Sequence, residues 1–128
     1  MINRQEVQKL FRKWNDALKT LNTGEVLKLY APDAILLPTL SARVRHNHEE
    51  IGDYFDLFLK MSPTSRIFEE NIRIFDEVAI NSGIYVFTVI QMGKSVEMPV
   101  RFTFVYKKFG EGWLIVEHHS SAMPTEPF

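Results

Sequence analysis

Residues 95–121, SVEMPVRFTFVYKKFGEGWLIVEHHSS, read as two long strands joined by a Gly-containing turn, and their orientation decides what the rest of the chain must cover. Successive side chains of a strand alternate between faces. Val96, Met98, Val100, Phe102, Phe104 and Tyr106 therefore share one face, and Glu97, Pro99, Arg101, Thr103, Val105 and Lys107 share the other. Two arrangements are open. If helices cover the Arg101 face, that guanidinium sits in a cavity and the apolar row needs another cover, most simply a second copy of the chain. If helices cover the apolar row, Arg101 is solvated or paired with Glu97 or Glu117.

The segment before this hairpin supports a broad sheet. Residues 65–75 and 78–91 both read as strands, and Gly93-Lys94 turns the second of them into the hairpin. Between Ile80 and Ile90 both faces are largely apolar, the pattern of a strand covered on two sides. The N-terminal half is helical. Asn3 followed by Glu6 has the spacing of a capping box, so a helix should begin near Arg4. Val7, Leu10, Phe11, Trp14, Ala17, Leu18 and Leu21 then recur at helical spacing as a wide apolar stripe. Asn22-Thr23-Gly24 breaks that helix. Thr23 can cap a second, shorter one through about Tyr30, and AILLP after Pro32-Asp33 is a short buried strand. Asn47 with Glu50 repeats the capping-box spacing and opens a third helix with Ile51, Tyr54, Phe55, Phe58 and Leu59 on its buried side. The irregular residues 39–48 between them form a loop, and AMPTEPF at the C-terminal end is an extended tail.

Composition narrows the possible functions. The 128 residues are 45% hydrophobic and 24% charged, which fits one domain over residues 1–128 with a single core. Fifteen basic and 16 acidic side chains give a formal charge of −1, so no excess of positive charge steers the chain toward nucleic acid or an anionic membrane. There is no cysteine, hence no disulfide or thiolate chemistry. The N-terminal residues lack an apolar signal region and no window is long and apolar enough to span a membrane, so a cytoplasmic protein is expected. No Gly-rich dinucleotide fingerprint is present, and His46, His48, His118 and His119 lack ligand spacing, so neither a cofactor nor a metal is expected.

The order helix, helix, short strand, helix and four strands specifies an α+β fold, a curved antiparallel sheet wrapped around a long N-terminal helix and two shorter helices. Several segments carry a resemblance that spans almost the whole chain: LYAPDAILLPTLSARVR, YFDLFL, GIYVFTV and VRFTFVYKKFGEGWLIVEHHSSAMP. The most specific element is W-x-I-V-x-x-H-x-S at Trp113, Ile115, Val116, His119 and Ser121. The chain resembles bacterial relatives of the calcium/calmodulin-dependent protein kinase II association domain, also called SgcJ-like, within the SnoaL-like and nuclear-transport-factor-2-like superfamily. The resemblance implies a cone-shaped, cystatin-like fold, a cavity between helices and sheet, and self-association through sheet surfaces as a homodimer or larger ring. Nothing in the chain resembles a kinase catalytic domain or a calmodulin-binding segment.

With that resemblance, the first of the two orientations is favoured. Arg101 becomes a buried anchor for a small anionic or carbonyl-bearing ligand, because a guanidinium keeps its charge in a cavity and offers a fork of donors. Arg43 and Arg45 would lie at the mouth, with Arg45 the better candidate, and Tyr54 and Tyr85 could add hydroxyl groups to the lining. His118 and His119 alternate across the last strand, and alternation alone does not say which looks inward. The family pattern favours His119, with Ser121 and Glu117 on its face. The face bearing Val100, Phe102, Phe104 and Tyr106 would then join copies of the chain. The alternative function is a SnoaL-like enzyme, a cyclase or isomerase removing a proton next to a carbonyl, with His119 or Glu117 as base and Arg101 or Tyr54 stabilising the oxyanion. A third is an accessory protein of metabolite biosynthesis.

Overall fold

The computed structural model describes all 128 residues. Helix α1, Arg4–Lys19, starts at the expected capping box: the Asn3 side chain accepts from the Glu6 amide at 2.9 Å and the Glu6 carboxylate accepts from the Asn3 amide at 3.0 Å. Two of the four amides that a helix N-terminus leaves unpaired, or would leave beside it, are satisfied in this way. Its buried stripe is Val7, Phe11, Trp14 and Leu18, whereas Leu21 lies beyond the helix in the left-handed region and is exposed. Helix α2 is shorter than its expected span, Thr23–Leu27, and its cap is the side chain of Asn22 instead of Thr23. Tyr30 consequently opens strand β1, Tyr30–Leu37. Helix α3, His48–Phe58, is capped by Asn47 and followed by a short 3₁₀ turn at Leu59–Met61.

Strands β2 (Thr64–Phe75), β3 (Val78–Gln91), β4 (Lys94–Phe109) and β5 (Gly112–Ala122) complete a curved, unclosed five-stranded sheet ordered β1-β5-β4-β3-β2. Strand β1 runs parallel to β5 and the other pairs are antiparallel. The helices cover one face. On that face the β3 row of Ala79, Tyr85, Phe87 and Val89 lies beside the β4 row, with Ala79 opposite Tyr106 and Tyr85 opposite Val100.

The orientation of β4 is the reverse of the one favoured from sequence. Val100, Phe102, Phe104 and Tyr106 are 0–3% exposed beneath the helices, while Arg101 points to the opposite, outer face and is exposed. The Trp14 indole shows why. It stacks on Tyr85 at 5.8 Å between ring centroids and meets Phe104 edge-on at 5.2 Å. Burying each large apolar side chain is worth about 1.5–3 kcal/mol, and α1 supplies the matching apolar stripe within the same chain. A guanidinium on that side would need a charge partner that the buried stripe of α1 lacks.

Two β-bulges shape the sheet. In β5 Glu117 faces Val105 and Ile115 faces Tyr106, so Val116 is an extra residue and side-chain alternation inverts across it. In β2 the register shifts between Ile67 and Glu69, and the backbone there closes onto Gly83 of β3. A Cβ built at Gly83 would overlap the Glu69 carbonyl oxygen. A Gly83→Ala change should therefore destabilise the protein by about 2–3 kcal/mol, the cost of overpacking where backbone itself must move. Urea unfolding with an unchanged slope and a lowered midpoint is the expected result.

Candidate functional site

The inner face of the β5 bulge carries the most distinctive polar arrangement in the molecule. Ile115 and His118 both look inward despite being three residues apart, and Ser120 follows on the same side. His118 is 2% exposed, lies parallel to the Phe104 ring at 4.0 Å between centroids, and has the Trp14 indole edge-on at 5.4 Å. Its Nδ1 is 2.8 Å from the Tyr30 hydroxyl and its Nε2 is 3.0 Å from the Tyr85 hydroxyl. Trp14 Nε1 donates to Tyr30 at 3.1 Å, and Tyr85 donates to Ser120 Oγ at 2.8 Å.

The chemistry of these groups fixes the direction of the chain. An indole N–H can only donate, so the Tyr30 oxygen accepts from Trp14 and the Tyr30 hydrogen goes to His118 Nδ1. The neutral imidazole then carries its hydrogen on Nε2 and donates it to Tyr85, which donates to Ser120. The reverse order would leave the Tyr30 O–H without an acceptor in the interior, costing roughly 1–3 kcal/mol. The one hydrogen not used within the chain is thus that of Ser120.

Burial holds the His118 imidazole far below its ordinary value, at about 3, with nearby His119 adding to the shift. Burial likewise pushes the Tyr30 and Tyr85 hydroxyls up, partly offset by their bonds with Trp14 and Ser120. The space enclosed by Trp14, Tyr54, Phe87, His118 and Ser120 is about 10 Å³, room for one water at most. Near neutral pH this imidazole is a neutral link in a packed core, without space beside it for a substrate.

The seven candidate ligand and catalytic residues divide between the faces. Arg101, Glu117, His119 and Ser121 all lie on the outer face, Arg101 opposite Ile84 and Ser121, and His119 opposite Thr103. The Val116 bulge is the physical reason: regular alternation from Ile115 would bring residues 117, 119 and 121 inside, and one extra residue brings 118 and 120 inside instead. Tyr85 and Tyr54 are internal, the latter donating to the Thr39 carbonyl at 2.9 Å. Arg45 is 7% exposed, but its donors are spent on its own loop: the Arg43 carbonyl at 3.2 Å, the Glu50 carbonyl at 3.0 Å and Ser41 Oγ at 2.9 Å, with its guanidinium 5.8 Å from the Tyr54 ring centre. It clamps the loop; it does not present a charge to a ligand. The predicted pocket around Arg101 is therefore not assembled. Sequence reasoning missed Trp14, Tyr30, His118 and Ser120 as one group, and only a bulge, which has no sequence signature here, brings them together.

The outer face is chemically mixed and has no helix over it. Ile80 lies opposite Val105, Ile84 opposite Arg101 and Val86 opposite Pro99, while Arg66 bridges to Glu97 at 3.2 Å. Phe68, displaced by the β2 bulge, is 70% exposed. With Ile84, Val86, Pro99 and Met123 it borders a groove of about 340 Å³.

This arrangement defines the nuclear-transport-factor-2-like, cystatin-like class of folds. A nuclear transport factor 2-like superfamily protein from Salmonella enterica serovar Typhimurium superposes with a TM-score of 0.83 at 16% identity, covering 97% of this chain and 92% of that one. A protein with a cystatin-like fold from Novosphingobium aromaticivorans gives 0.80 at 10% identity, covering 97% and 84%. Within this class the chain belongs to the calcium/calmodulin dependent protein kinase II association domain family, whose model matches residues 3–124. A Xanthomonas campestris structure assigned to that association domain is 44% identical, with a TM-score of 0.93 over 97% of this chain and 90% of that one. No curated protein matches the chain.

Because His118 is held neutral, the folded chain refuses a proton that the unfolded chain accepts below about pH 6.5. Stability from this group is complete above that pH and is lost as pH falls toward 3, at up to ~1.4 kcal/mol per pH unit. Between pH 7 and 4.5 the native protein should lose roughly 2–3 kcal/mol more than a His118→Phe variant. Urea midpoints of both proteins at the two pH values measure that difference.

Proposed function

We propose that this chain is a homo-oligomeric association domain that joins copies of itself through the outer face of β2, β3 and β4. The observation that carries this reading is the apolar group of exposed Phe68 and Pro99 beside half-buried Ile84, with Val86 buried beneath, set among charges of both signs. A twofold interface brings one patch against itself, so the patch must be self-complementary. Arg66 and Arg101 with Glu97 and Glu117 supply both halves of such a match. Membership of a family named for association supports the same reading. The surface differs from the one expected from sequence, since Val100, Phe102, Phe104 and Tyr106 are used up in the core. The enzymatic alternative has less support, because its candidate bases His119 and Glu117 and the Arg101 guanidinium lie on the outer face while Tyr54 is internal and donates to the Thr39 carbonyl.

Sedimentation or light scattering at micromolar concentration should give a mass that is a multiple of the 14.9 kDa chain. Ile84→Glu and Phe68→Glu should each weaken association at least about tenfold, because a carboxylate buried against an apolar partner is left unpaired, while thermal unfolding of the subunit changes little. A strictly monomeric native protein would remove the proposal.

A further inference from the structure

Beside the outer face lies a cleft of about 510 Å³ between residues 38–44 and the ends of β4 and β5. Its walls include the apolar Leu37, Pro38, Leu40 and Met98, and its titratable groups are Arg43 and His119. No carboxylate lines it. The loop that roofs the cleft is held in shape by the three Arg45 bonds and by Tyr54 on the Thr39 carbonyl, with Leu40 in the left-handed region. Its own polar side chains are hydroxyls and a guanidinium. The cleft is therefore rich in donors and apolar surface and poor in negative charge.

The segment of this chain with the opposite character is its C-terminal tail, Met123-Pro124-Thr125-Glu126-Pro127-Phe128. It is exposed throughout. Two prolines leave it carbonyl acceptors with fewer N–H donors and hold it extended, so little order remains to be lost on docking. Glu126 brings a negative charge, and Met123 and Phe128 bring unburied apolar surface. The tail leaves β5 on the outer face, where Met123 borders the groove beside Phe68, while His119 and Ser121 connect the cleft to that same face. We infer that the tail of one copy docks in the cleft of a second copy, with Glu126 against Arg43 and the apolar ends of the tail against Leu40 and Met98. This inference rests on the association proposed above and names the segment that is exchanged.

Charge reversal in the full chain tests it. Glu126→Lys and Arg43→Glu should each weaken self-association about tenfold in sedimentation equilibrium, and the double variant should recover most of the native affinity. If Arg43→Glu impairs folding, the paired Arg43→Ala and Glu126→Ala cycle takes its place, with losses less than additive expected. Single variants within twofold of the native protein, or a double variant no better than either, would overturn the tail docking. With Ile84→Glu still dissociating the assembly, that result leaves the outer-face association standing. A monomeric native chain would overturn both.

Discussion

One extra residue in β5 sets the character of both faces of this sheet. With Val116 bulged out, Ile115, His118 and Ser120 point inward and Glu117, His119 and Ser121 point outward. Without the bulge, the inner surface would receive a carboxylate and an imidazole beside Phe104, and each would need a partner in a region where α1 offers only apolar side chains and the Trp14 N–H. With it, a single imidazole enters, and every nitrogen on that ring has a tyrosine. The bulge thus converts a row that would be expensive to bury into one whose polar atoms are satisfied.

That satisfaction explains why the interior is closed. Four buried polar side chains hand on one hydrogen each from Trp14 to Ser120, and aromatic rings pack against every link. A fully connected polar network is stabilising only while each member keeps its partner, so opening a ligand-sized space beside His118 would cost hydrogen bonds as well as packing. The Arg45 clamp acts in the same direction at the other end, fixing the loop over the helix α3 side of the cavity. The association-domain fold here encloses a core and not a chamber.

Much of the fold was legible because its signals are local. Asn3 with Glu6 and Asn47 with Glu50 marked two helix starts, the stripe from Val7 to Leu18 marked the buried side of α1, and Gly93 marked the β3–β4 hairpin, whose turn is Met92-Gly93 and not the expected Gly93-Lys94. The sites were not legible in the same way. Which face of β4 meets the helices depends on packing between distant segments, and the two-sided apolar pattern of β3 made either choice self-consistent. The resemblance then favoured an inward Arg101. For β5, alternation is a sound rule only in an unbroken strand, and nothing in GWLIVEHHSS announces an added residue at Val116. Tyr30 was placed at a helix end because its role depends on β1 lying parallel to β5, a long-range pairing.

The closed interior also determines where function can lie. With the interior packed, the proposed association rests on surfaces that the helices leave uncovered. The outer sheet face is one, and its chemistry differs from a solvated sheet face: Phe68 is pushed outward by a bulge that Gly83 alone permits, since any larger residue would meet the Glu69 carbonyl. A close approach of backbone to backbone is thus spent on presenting an aromatic ring to the outside. Evolution of a strand that merely needed to stay soluble would gain nothing from that geometry, because an exposed phenylalanine at a sheet margin invites aggregation. The bulge in β2 and the bulge in β5 act as a pair, one placing an apolar group outside and the other keeping charge from the inside. Together they give the outer face the apolar surface and the charges of both signs on which the proposed association rests.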